Sequence, residues 1–144
     1  MKRRTMLKGM GAGAMASAMA GVKALAQTGS EGDAGVVYEL RVYHAYAGKL
    51  DDLLARFRDH TMTIFKRHGM ESVAYWTPAD EPLAGKTLFY VLRHPSRAAA
   101  TANWAAFRDD PEWKQVSAAS EANGKLVEKT ESTFLQLTDF SPHL

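Results

Sequence analysis

Polar and apolar residues change their rhythm several times after residue 36, and each rhythm predicts an element. From Val36 to Tyr43 they alternate, with Val36, Tyr38, Leu40 and Val42 on one side and Val37, Glu39, Arg41 and Tyr43 on the other. The β-branched and aromatic content predicts a strand. Its first side reads as clean core and its second as a mixture of apolar and charged groups. From Gly48 to His68 the period lengthens: Leu50, Leu53, Leu54, Phe57, Thr61, Ile64, Phe65 and His68 form one helical stripe, and Gly69 supplies a left-handed stop. Met70–Thr77 and Lys86–Arg93 read as two strands of a hairpin around the turn-forming Pro78–Gly85. Ser96 can cap a helix running to about Phe107. Asp110, Pro111 and Glu112 then restart one that runs to about Asn123. Leu126–Leu137 reads as the last strand.

The order β-α-β-β-α-α-β predicts an α+β fold, a ferredoxin-like sandwich with helices on one face of a four-stranded antiparallel sheet. Both sides of the strands are partly apolar, Phe89 and Val91 against Leu88, Tyr90 and Leu92. Both faces are therefore expected to be covered, the open one by a second copy in a two-fold homodimer.

The N-terminus changes where this domain is expected to work. Arg3-Arg4 followed by Leu7-Lys8, an uncharged Gly/Ala/Met run from Gly9 to Val22, and Ala24-Leu25-Ala26 are the parts of a twin-arginine signal peptide spanning residues 1–26. The uncharged run of 14 residues is too short to span a bilayer. Residues 27–35 predict a flexible linker, and 36–142 the domain. The expected location is periplasmic or secreted, with no membrane association after cleavage. The whole chain has a net charge of +2, but the leader holds five of its 18 basic residues and none of its 16 acids. The 13 that remain against 16 acids leave the mature domain at −3, which removes the charge argument for a nucleic-acid partner. With no cysteine, disulfides, thiolate nucleophiles and cysteine metal sites are excluded.

Five segments resemble one known family. They are the strand YELRVY (38–43), the helix start GKL (48–50), RHGMESVAYW (67–76), NWAAFRDDPEWK (103–114) and the ending ESTFLQLTDFSP (131–142). In this order they are similar to the NIPSNAP family. The resemblance implies a dimeric α/β barrel, in which two ferredoxin-like units pair their sheets. It implies no particular reaction, although other families on this barrel include cofactor-independent monooxygenases, isomerases and haem enzymes.

The five histidines lack zinc spacing, so neither metal nor cofactor is expected. His68 continues the apolar stripe and reads as a packed helix-end residue. His44, at the end of the first strand, is the candidate acid or base. Arg41 has two readings: an ion pair with Glu39 across a dimer or with Glu131 on the last strand, or a clamp for an anionic ligand. Tyr43, Tyr75, Trp76, Tyr90 and Trp104 are core aromatics that could also line a pocket for a small apolar or aromatic ligand. No phosphate loop, nucleophile elbow or Ser-His-Asp order is present. The expected activity is ligand or partner binding, with a cofactor-independent monooxygenase or isomerase as the alternative.

Overall fold

The computed structural model describes residues 35–144; the predicted leader and all of the predicted linker except Gly35 lie outside the described residues. The elements run β1 (Val37–Ala45), α1 (Leu50–Arg56), a π-helical turn (Phe57–Thr61), α2 (Met62–Arg67), β2 (Glu71–Trp76), β3 (Thr87–His94), α3 (Arg97–Asp109), α4 (Pro111–Ser120) and β4 (Val127–Leu135). The strands form one antiparallel sheet in the order β2-β3-β1-β4. With the helices on one face, this is the expected ferredoxin-like α+β sandwich.

Local chemistry sets the element ends. Ser96 Oγ accepts from Ala99 N at the start of α3, and Asp110 Oδ1 accepts from Glu112 N and Trp113 N at the start of α4. Asp110 Oδ2 also takes Arg67 and His68, each at 2.6 Å, tying the end of α2 to the α3–α4 corner. His68 is thus a bridging residue as well as a packed one. Gly69 has φ +75°, the left-handed conformation that ends the helix, and a Cβ there would stand 3.3 Å from Asn103 Nδ2.

The first helix differs from its sequence pattern in one respect. The stripe predicts a continuous α-helix, yet Phe57–Thr61 opens to i→i−5 bonding, with Met62 N–H donating to Phe57 O. Thr61 Oγ1 donates to Arg56 O. Phe57 sits at this turn and packs its ring on Tyr43, Phe65, Tyr75 and Tyr90, at centroid distances of 5.1–6.0 Å. These rings, with Leu53, Ile64, Leu88 and Leu92, form the core between sheet and helices.

The faces of β1 are assigned opposite to expectation. The mixed side, Val37, Glu39, Arg41 and Tyr43, meets the helices, and its register partners His94, Leu92, Tyr90 and Leu88 on β3 are all buried. The side that read as clean core faces away from them. There Leu40 and Val42 are half-buried beside Phe89 and Val91, Trp76 is exposed, and Tyr38 is covered near the C-terminal residues Leu137 and Leu144. The alternation is as predicted; polar pairing inside the layer decided which side went in. β4 also ends earlier than predicted, at Leu135.

Gly69→Ala should lower stability by about 1–2 kcal/mol, from the left-handed φ plus the contact with Asn103. Urea denaturation would show a lower midpoint at an unchanged slope.

Candidate functional site

Glu39 organises the polar centre of the sheet–helix layer. Its side chain is 2% exposed and both oxygens are fully engaged. Oε1 accepts from His94 Nε2 at 2.9 Å and Trp104 Nε1 at 2.7 Å. Oε2 accepts from Ser132 Oγ at 2.7 Å and Arg41 NH1 at 2.9 Å. The donors come from β3, α3, β4 and β1, so one carboxylate ties together three neighbouring strands and a helix. Burial alone would push its pKa up. The hydrogen bonds from His94, Ser132 and Trp104 and the charge of Arg41 outweigh that and hold it at about 2.

Arg41 stands two residues along the same face. NH1 is held by Glu39, NH2 donates to the Tyr43 hydroxyl at 3.2 Å, and the guanidinium lies 4.3 Å from the centroid of the Trp104 ring. Burial works against its charge, yet Tyr43, Tyr90 and Glu39 drive its pKa up, so it remains a cation. Tyr90 is directly opposite on β3 and wholly buried. Its phenol is raised well above the ordinary value, chiefly by burial. Tyr75 stacks on it at 5.2 Å and shares a hydrogen bond with Ser72. Three buried polar atoms here lack any partner: Arg41 Nε, the Tyr90 hydroxyl and His94 Nδ1. Thr130 and Ser132, across from Tyr43 and Arg41 on β4, are exposed, and the Arg41 side chain is 17% exposed.

Of the residues singled out from sequence, Arg41, Tyr43, Tyr75, Tyr90 and Trp104 come together. His44 and Trp76 do not, because strand alternation puts them on the opposite face. His44 Nε2 is 2.7 Å from Glu131 Oε2, both on the open side of the sheet, and Trp76 is 52% exposed. The ion-pair partner of Arg41 is Glu39 of its own strand; Glu131 is engaged with His44 and Lys129 instead. Sequence reasoning missed the central role of Glu39, together with His94, Ser132 and the buried Arg56. The Glu39-x-Arg41-x-Tyr43 spacing signalled the first; the others enter only through register and helix packing.

Fold and site together define a ferredoxin-like α+β domain with an arginine-centred polar cluster under its helices. The chain belongs to the NIPSNAP family, whose profile matches residues 38–142. Solved structures agree on the fold. An uncharacterized NIPSNAP-like domain protein from Burkholderia xenovorans is 16% identical, with a TM-score of 0.66 over 76% of this chain and 91% of that one. Protein Atu4242 from Agrobacterium tumefaciens is 22% identical, with a TM-score of 0.64 over 75% and 99%. SnoaB, a cofactor-independent oxygenase from Streptomyces nogalater, is 14% identical, with a TM-score of 0.52 over 76% and 100%. No curated protein matches the chain.

Glu39→Gln leaves Arg41 without its carboxylate and should cost about 3 kcal/mol at neutral pH. The pKa of Glu39 is lowered on folding, so its contribution is complete above 4.5 and fades as pH falls towards about 2. Chemical denaturation across that window should show the wild type losing more stability than Glu39→Gln; parallel losses would refute the assignment.

Proposed function

We propose that this domain binds a small aromatic ligand with an anionic or acceptor oxygen, held by Arg41 beneath α3. The observation that carries this reading is the pair of unpartnered buried donors, Arg41 Nε and the Tyr90 hydroxyl, on directly opposed positions of β1 and β3. Leaving buried donors unmade is costly, and a ligand oxygen would answer both. Trp104 and Tyr43 supply aromatic faces beside the guanidinium, and the exposed flank of β4 supplies access. The half-buried Leu40, Val42, Phe89 and Val91 and the exposed Trp76 support a homodimer through the open sheet face. The leader motif supports export to the periplasm or beyond.

A second reading is oxygenation or isomerisation of a small aromatic compound without a cofactor. Its support is the shared fold with SnoaB. Such chemistry starts by removing a proton, and the one unpartnered nitrogen base of this cluster, His94 Nδ1, is wholly buried. Glu39 is held at about 2 and spent on four donors, the Tyr90 phenol is raised, and His44 lies on the other sheet face. Binding is therefore the reading the cluster favours.

Benzoate is a minimal probe. Calorimetric titration should show saturable binding that Arg41→Gln abolishes and Tyr90→Phe weakens by about 1 kcal/mol, roughly fivefold. Unchanged affinity in Arg41→Gln would overturn the reading, whereas steady oxygen uptake with a hydroxylated aromatic would favour the second.

For the dimer, sedimentation at micromolar concentration should give twice the chain mass, and Val42→Glu should give a monomer. A monomeric wild type would refute it.

A further inference from the structure

Arg56, the last residue of α1, is a buried arginine, and its environment differs from that of the half-buried Arg41. Its side chain is 5% exposed, yet its bonds are long: NH1 reaches Ser120 Oγ at 3.2 Å and Glu121 Oε1 at 3.4 Å, and Nε has no partner. Trp113 lies 5.1 Å from the guanidinium. Burial lowers the pKa of this arginine, with the charge of Glu121 opposing it. A buried cation with so distant a counter-ion is poorly compensated.

Arg56 also lines a groove of about 540 Å³ between the α1–π run and α4. Asp52 and Asp59 line the same groove, with Gln115 and Asn123 across from them on and beyond α4. A carboxylate is the group that suits an under-paired guanidinium, through two parallel N–H···O bonds. A simple anion, however, would meet two aspartates on the way. A ligand with a cationic end satisfies both signs.

We propose that this groove is a separate binding site for a small zwitterion, an ω-amino acid in its simplest form. Arg56 receives the carboxylate, and Asp52 and Asp59 receive the ammonium. Arg56 is then the anion-binding residue of a site that does not include Arg41.

The test follows the arginine Nε–Hε signals of the full chain in a ¹H–¹⁵N correlation spectrum, with the Arg56 signal identified by its loss in Arg56→Lys. β-Alanine, added at constant ionic strength, should shift that signal saturably, and acetate should do so about fivefold more weakly, the worth of an exposed ion pair. In Asp52→Asn/Asp59→Asn the preference for β-alanine should vanish while the acetate response remains. No saturable shift at millimolar β-alanine would overturn the proposal. Equal responses to both compounds in the wild type would overturn its zwitterion component. The benzoate titration reads a different arginine, so either site can fail without the other.

Discussion

A carboxylate buried at 2% exposure has to be answered by donors, and at Glu39 the answer determines how the layers meet. His94, Trp104, Ser132 and Arg41 must all arrive at two oxygen atoms. That requirement pins β3 and β4 to either side of β1 and draws α3 down by its indole. A charge alone in this layer would be expelled or neutralised; with four donors it is retained as an anion. The same requirement explains why the polar side of β1 faces the helices. Arg41 and Glu39 neutralise each other two residues apart, and Tyr43 and Trp104 flank the guanidinium.

Around this centre the core sets a group of aromatic rings among aliphatic side chains. Phe57, Phe65, Tyr43, Tyr75 and Tyr90 meet mostly edge to face, an arrangement that the ring quadrupole favours. The π-helical turn lies between these rings and the buried Arg56. It holds Phe57 over the sheet while Arg56, one residue earlier, turns towards α4 and Trp113. Such turns are frequent at functional positions. Here the turn separates the aromatic part of the core from a charged groove wall within two consecutive residues.

The strands, the helix stripe, the caps at Ser96 and Asp110 and the glycine stop were legible because each depends on neighbours a few residues away. So was the grouping of Glu39, Arg41 and Tyr43, since alternation alone puts them on one side of a strand. His94 was not legible as a member of the cluster. It lies 55 residues from Glu39, and only the antiparallel register of β1 with β3 places it there. Arg56 was hidden for another reason: its burial follows from where α4 packs, and the apolar stripe of the first helix is complete without it.

The sequence by itself therefore determined the order of elements, the ferredoxin-like class and which residues of β1 share a face, because periodicity and capping are local properties. Only the tertiary structure decided which face of β1 was buried. Hydrophobicity argued for Val36, Tyr38, Leu40 and Val42, yet three donors from distant elements, with Arg41 of the same strand, made the charged face the one that could be enclosed. Strand alternation puts His44 and Arg41 on opposite sides of the sheet, so enclosing the charged face brought Arg41, and not His44, into the site.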